Sequence, residues 1–158
     1  QNSYRIPAIA FRFFNVYGPY QRPDHAYAPV VPRFVRAVQQ GDPFTVYGDG
    51  LQTRDFTYID SVAETIQIAA LERRSHPTAV NLAFGTCTTV KDLACAVAEI
   101  MDVEPRFDIQ PPRVGDVRDS SAQSDTYRAL FPEVQPTDLR VGLEATVRYL
   151  ERVPVAAS

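Results

Sequence analysis

The chain has 158 residues, 45% hydrophobic and 22% charged, enough for one domain with a real core. A net charge of −3 argues against a general binder of nucleic acid or of membrane surfaces, and no apolar run is long enough to span a bilayer. Cys87 and Cys95 follow no metal-ligand spacing and make no disulfide framework, so reduced thiols and a cytoplasmic location are expected.

The first residues, Gln1-Asn2-Ser3-Tyr4-Arg5, lack a Met and run directly into an apolar stretch, as expected of a piece of a longer protein. Ile6 to Tyr17 is nearly continuous apolar, which predicts a strand buried on both faces, as in a parallel sheet. Pro7 and the β-branched and aromatic residues disfavour a helix there, and Asn15 with Gly18-Pro19 marks the strand's end. The polar loop from Tyr20 to Ala28 carries His25, read as a solvated loop histidine. Pro29 to Gln40 places Val30, Val31, Phe34, Val35 and Val38 on a helical stripe, with Gly41 as its stop.

The chain is organised around Val46-Tyr-Gly-Asp-Gly-Leu-Gln-Thr-Arg-Asp-Phe-Thr-Tyr-Ile-Asp60. It reads as a hairpin: Thr45, Val46 and Tyr47 favour extended backbone, Gly48-Asp49-Gly50 suits a turn, and Phe56, Tyr58 and Ile59 restore β character. Ser61 with Glu64 resembles a capping box, so a helix is predicted from Ser61 to about Arg73, with Val62, Ile66, Ala69 and Ala70 on one face. Arg54 sits inside this apolar stretch, and a guanidinium there is either paired with Asp55 or Asp60 or aimed at an anionic ligand.

Ala79 to Phe84 predicts a second buried strand ended by Gly85. Thr89 and Asp92 cap a helix whose apolar face is Val90, Leu93, Ala94, Val97, Ile100 and Met101. Phe107 and Ile109 alternate in a brief strand, whereas Pro111 to Ser124 has no clean period and reads as a binding-type loop. A short helix is expected around Thr126 to Phe131. A last one begins near Asp138, with Leu139, Leu143, Val147 and Leu150 on one face. Alternating strands and helices of this kind make an α/β fold.

Chemistry-bearing motifs are sparse. The only Gly-x-Gly is Gly48-Asp49-Gly50, and no helix is predicted to open after it, so it is a turn and not a dinucleotide fingerprint. The one lysine, Lys91, falls on a predicted helix surface, and no tyrosine is followed four residues later by lysine. No Ser/His/Asp or metal-ligand cluster is visible. The residues give anion-binding potential without a reaction centre.

Five segments nonetheless occur in a telling order: Arg12-Phe-Phe-Asn15-Val-Tyr-Gly-Pro19, Val31-Pro-Arg-Phe34, the Val46–Asp60 stretch, Asn81-Leu-Ala-Phe-Gly85, and Arg113-Val-Gly-Asp-Val-Arg-Asp-Ser120. Together they resemble the extended short-chain dehydrogenases/reductases. Within these the chain is similar to the NAD-dependent nucleotide-sugar epimerase/dehydratase family, and most to UDP-sugar 4-epimerases. The resemblance covers nearly the whole chain and implies its C-terminal half only. Residues 1–158 would be the substrate-binding lobe plus late strands of an incomplete Rossmann sheet, including Ile6–Phe14 and Val80–Phe84. The NAD-binding Gly-rich loop and the catalytic Tyr-x-x-x-Lys pair would lie in the missing N-terminal half. The intact enzyme would be a homodimer that oxidises a UDP-sugar at C4 with NAD and returns the hydride to the other face; this chain alone would be inactive.

The resemblance also implies site residues. Asn15 matches an asparagine on the substrate diphosphate, and Phe13 and Phe14 lie beside the nicotinamide and sugar. Val31 marks where the chain passes the uracil, and Thr45, Val46 and Tyr47 match the segment that cradles the base. Arg54 and Arg113 match two arginines on the diphosphate, Asp116 a carboxylate on the ribose hydroxyls, and Ser120 the position beside the sugar's C2 substituent. Phe13 stands where many 4-epimerases have tyrosine, and Gln123 where aspartate is frequent.

Overall fold

The computed structural model describes residues 6–23, 28–113, 115, 117–120 and 123–152. In chain order these form β1 (Phe11–Phe13), β2 (Val16–Tyr17), α1 (Val30–Gln40), β3 (Phe44–Tyr47), β4 (Thr53–Arg54), β5 (Thr57–Tyr58), α2 (Ile59–Leu71), β6 (Val80–Leu82), β7 (Thr88–Thr89), α3 (Val90–Ile100), β8 (Phe107–Gln110), β9 (Asp119–Ser120), α4 (Asp125–Leu130) and α5 (Leu139–Arg152). Three parallel pairs, β1 with β6, β2 with β5 and β3 with β8, are joined by a three-stranded sheet ordered β7-β4-β9. The α/β class is as the sequence predicts.

The helices form where the apolar periodicity puts them. In α1 the stripe buries Val31, Phe34 and Val35, and Gly41 at φ 72° closes the helix with its N–H and that of Asp42 on the carbonyls of Val38 and Ala37. Thr89 caps α3, its hydroxyl accepting from the Asp92 N–H at 3.0 Å. The Asp138 carboxylate takes the N–H groups of Arg140 and Val141 at the start of α5. These helices meet each other: α1, α3 and α5 pack mutually over β3, burying Val35, Leu93 and Leu143 completely. Each such side chain stabilises the fold by about 1.5–3 kcal/mol. A second cluster gathers Val62 of α2, Val80 and Leu82 of β6, and Tyr127 and Phe131 around α4.

Four expectations are corrected. The first strand is short and one-sided, because β1 has β6 on one edge and no described strand on the other. Ile6, ahead of the strand, is 61% exposed and Phe13 is 55% exposed instead of buried, since side chains are covered by what packs on a sheet's faces and little of the described chain does so here. The central stretch is no hairpin. Its turn exists, with Gly48 at φ 73° and Gly50 at φ 75°, but β3 leaves to pair with β8, β4 with β7 and β9, and β5 with β2. Local turn chemistry is satisfied while each strand finds a partner distant in sequence.

The Ser61–Glu64 capping box does not form either. The helix starts earlier, at Ile59, and Ser61 Oγ lies 3.1 Å from Thr137 Oγ1, tying α2 to the segment before α5. The buried face of α2 is Ser61, Val62, Thr65 and Ala69, with Val62 and Ala69 packed in the cluster of β6 and α4, and Ile66 and Ala70 are exposed. Finally, the aperiodic Pro111–Ser124 stretch contains β9, too short to show a period. His25 lies outside the described residues, and no described helix is long and apolar enough to cross a membrane.

Candidate functional site

A cleft of about 450 Å³ opens between the first turn of α1, strands β3 and β4, and the chain around Arg113. It is lined by Asn15, Val31, Thr45, Tyr47, Arg54 and Arg113, six residues scattered along the sequence. Fold topology brings them together: β3 pairs with β8 and β4 with β7 and β9, in two separate sheets, and residues of both strands line the cleft with the start of α1.

Asn15 sits on a backbone with φ 35°, a left-handed value that asparagine tolerates better than most residues. Its Nδ2 donates to the Asp55 carbonyl at 3.2 Å, and its own carbonyl accepts from the Thr57 N–H at 3.4 Å. The strand end is thereby locked to the β4–β5 connection. Asp55 is fully buried, and its two carboxylate oxygens accept from the Gly85 N–H and the Thr86 hydroxyl, each at 2.8 Å. Arg54 donates to the carbonyl oxygens of Thr53 and Arg118 at 2.8 and 3.4 Å, which holds its stem along β4.

At the other end the Arg113 guanidinium lies over the Tyr47 ring, 3.8 Å from its centroid. Hydrogen bonding and charge from Arg113, with a smaller contribution from Arg33, hold the Tyr47 phenol below its ordinary value of 10.0. Tyr17, buried beneath the cleft, shows the opposite trend. Burial, helped by Tyr58 and Asp138, pushes its phenol well up, and it donates to the Leu139 carbonyl at 3.2 Å.

The remaining predicted residues lie elsewhere. Val46 is 2% exposed and points into the core, so only its backbone can serve the cleft. Ser120 stands in β9 opposite Arg54 in register, beside the cleft and not lining it. Phe13 and Phe14 lie away from the cleft at the carboxyl end of β1, where ligands of parallel sheets sit. Asp116 lies outside the described residues. Sequence reasoning missed Arg33, Gln52, Phe56 and Val90, which also line the cleft. Arg33 had a signal: it falls next to the apolar stripe of α1, inside the Val31–Phe34 segment. Among the described residues no group of acidic, histidine and cysteine side chains could hold a metal ion.

The family model for the NAD dependent epimerase/dehydratase family matches residues 1–83, more than half of the chain. The chain belongs to this family. A UDP-N-acetyl-alpha-D-glucosaminuronate decarboxylase of Bacillus cytotoxicus is 40% identical over 89 residues, covering 56% of this chain and 27% of the relative. A UDP-glucose 4-epimerase of Mycolicibacterium smegmatis is 31% identical over 153 residues, 94% of this chain and 47% of the relative. The solved UDP-glucose 4-epimerase of Thermotoga maritima, with UDP-glucose, superposes with a TM-score of 0.87 at 30% identity, over 96% of this chain and 48% of that one. The chain thus spans about half the length of the relatives it matches nearly end to end. Its α/β fold with parallel strand pairs such as β1–β6 is that of the Rossmann-like epimerases.

Proposed function

We propose that this chain supplies the nucleotide-sugar binding lobe of an NAD-dependent epimerase that inverts a UDP-sugar at C4. The observation that carries the reading is the cleft itself. Arg33, Arg54 and Arg113 converge on it with Asn15 and Tyr47, and no carboxylate is among its described lining residues. Guanidinium groups recognise phosphate oxygens through paired charge-assisted hydrogen bonds, so a diphosphate is the anion that fits. The cleft floor of Val31 and Val90, with the Tyr47 ring, offers an apolar surface for a base and sugar.

In this reading Arg54 and Arg113 bind the diphosphate, Asn15 orients it, and Thr45, Val46 and Tyr47 hold the base with Val31. Asp116 takes the ribose hydroxyls, and Ser120 stands by the sugar's C2 substituent. NAD, where bound, supplies a reversible hydride acceptor for the sugar carbon. The residues present fit one end of such a cofactor: exposed Phe13 at the carboxyl end of β1 offers an aromatic face, while the sequence holds no Gly-rich phosphate loop. The acid/base pair is likewise absent from this sequence, so the chain by itself is expected to be inert. A cytoplasmic homodimer is the form proposed for the intact protein, and size-exclusion chromatography with light scattering would check its assembly.

The 40% identical decarboxylase relative keeps a sister reaction in view, in which the oxidised sugar loses a group instead of being re-reduced. Product analysis by NMR decides between them. The intact protein is incubated with NAD and UDP-glucose, UDP-glucuronate or UDP-N-acetylglucosamine. Formation of the C4 epimer supports the proposal; a pentose or deoxy product replaces it with the sister reaction. Failure to bind any UDP-sugar leaves only a non-catalytic module.

A further inference from the structure

None of the residues of the Gly48-Asp49-Gly50 turn lines the cleft, yet the turn is firmly seated. The N–H groups of Lys91 and Val90, at the start of α3, donate to the Gly50 and Gln52 carbonyls at 3.0 and 3.1 Å. Asp49 closes the turn with one carboxylate oxygen, which accepts from the Leu51 N–H at 3.0 Å. Its other oxygen takes Arg118 Nη2 at 3.3 Å, an ion pair between side chains that are both exposed.

Arg118 leads into β9, and polar contacts hold β9 on β4. The carbonyls of Arg118 and Ser120 accept from the N–H groups of Thr53 and Asp55 at 2.9 and 3.2 Å, and the Thr53 hydroxyl donates to Asp119 Oδ1 at 2.9 Å. Val117, Arg118 and Asp119 are exposed, so apolar burial does little to keep this stretch in place. The Arg118 carbonyl has a second donor, Arg54 Nη1 at 3.4 Å. A cation that lines the cleft is thus tethered to a strand whose own seat depends on Asp49 and Thr53. An exposed ion pair is weak alone, but here it acts together with the hydrogen bonds of one short strand.

We propose that Asp49 and Arg118 form a latch that seats β9 on β4 and thereby orients the Arg54 guanidinium at the cleft, making both of them positioning residues for ligand binding. What Arg54 binds rests on the nucleotide-sugar reading above; the latch itself does not. With the latch open, β9 separates more often from β4, Arg54 loses the Arg118 carbonyl, and binding must order a guanidinium that the closed latch holds in advance.

The test uses the intact protein as wild type, Asp49→Asn, Arg118→Gln and Arg118→Lys. Asp49→Asn keeps an acceptor for the Leu51 N–H and removes only the charge that Arg118 meets. Hydrogen exchange of the Thr53 and Asp55 amides is followed by NMR without ligand, and UDP affinity is measured by calorimetric titration. Asp49→Asn and Arg118→Gln are each expected to speed exchange at these two amides about threefold and to weaken UDP about as much, while Arg118→Lys, which keeps the charge, stays near wild type. In an Arg54→Ala background the same substitutions should leave UDP affinity where Arg54→Ala alone puts it. Exchange no faster in either variant overturns the latch. Faster exchange with unchanged UDP affinity, or a UDP loss that persists in Arg54→Ala, overturns its action through Arg54. A wild type that ignores UDP overturns the nucleotide-sugar reading, and exchange at Thr53 and Asp55 still upholds or sinks the latch.

Discussion

The Asp55 carboxylate accepts a hydrogen bond from the backbone N–H of Gly85 at 2.8 Å. The bond links the β4–β5 connection beside the cleft to the loop that leaves β6, and so joins the two core clusters. With Thr86 on the second oxygen, Asp55 acts as a fully buried brace and not as the partner of Arg54 that the sequence also allowed.

Removing the brace should be costly. Hydrogen bonds to a buried charge are each worth about 1.5–3 kcal/mol, so Asp55→Ala is expected to lower stability by roughly 2–4 kcal/mol. Asp55→Asn keeps one acceptor oxygen and should lose about half as much. Urea denaturation of the intact protein measures both; a change below about 0.5 kcal/mol for the alanine variant would show that the brace is dispensable.

Gly142 sets a second expectation, with two effects of opposite sign. Alanine is the better helix former by about 1 kcal/mol. In α5, however, a Cβ at position 142 would stand 2.3 Å from the Tyr17 hydroxyl and 2.8 Å from Tyr58 Cδ2. Both rings are buried, and overpacking of this kind costs about 1–3 kcal/mol. Gly142→Ala should therefore destabilise on balance and break the Tyr17–Leu139 bond. A raised melting temperature would mean that α5 can slide away from the two tyrosines.

What the sequence disclosed follows the range of the forces involved. The helices α1, α3 and α5 were legible because each carries its own apolar period and, in α3, its own cap. The partners of β3, β4 and β5 were not, since a Gly-Asp-Gly turn reads as a hairpin unless strands distant in the sequence compete for its arms. Of the residues that line the cleft, Asn15, Arg54, Arg113 and Tyr47 had been singled out through motif order. Arg33 was passed over because an arginine beside an apolar helix stripe is usually just a solvated side chain. Ile6 and Phe13 misled through their apolarity, which predicts burial but not which neighbour supplies it.

The two motif arginines should be separable from the scaffold. Arg54→Ala and Arg113→Ala are each expected to weaken UDP binding by the intact protein by about 2–4 kcal/mol, as loss of a charge-assisted contact to the diphosphate does. Arg113 is exposed and, among the described residues, stacks on Tyr47, so its variant should leave the melting temperature nearly unchanged. Unaltered UDP affinity with a lowered melting temperature for Arg54→Ala would assign Arg54 to the fold alone.

Tyr47 makes the cleft sensitive to alkaline pH. Arg113 and Arg33 depress its phenol below 10.0, so the folded protein loses this proton before the unfolded chain does. The resulting stabilisation is present above 10.0 and is lost as pH falls through the folded value, leaving none at neutral pH. Ligand binding moves the other way. A phenolate between the arginines neutralises the charge that UDP needs, so UDP affinity should drop as pH rises through the same window. Tyr47→Phe should flatten that drop. An affinity that declines identically in wild type and Tyr47→Phe would place the responsible group elsewhere.

The choice of sugar turns on Ser120. Register partners on adjacent strands project to the same face, and Ser120 lies opposite Arg54, whose side chain lines the cleft. A larger side chain at 120 would therefore grow alongside Arg54 toward the sugar end. Its carbonyl already accepts from the Asp55 N–H at 3.2 Å, so the backbone is fixed and only side-chain volume can vary. A small serine leaves room for an N-acetyl group at C2, while tyrosine would fill that room, and a filled site rejects added atoms by overpacking. Wild-type intact enzyme is thus expected to turn over both UDP-glucose and UDP-N-acetylglucosamine. Ser120→Tyr should lose the N-acetyl substrate at least tenfold more than the other, a difference of about 1.4 kcal/mol or more in transition-state binding. Comparing kcat/KM for the two substrates in each protein gives the answer. Equal losses would show that position 120 supports β9 without gating the sugar, since a strand defect cannot tell one C2 substituent from another.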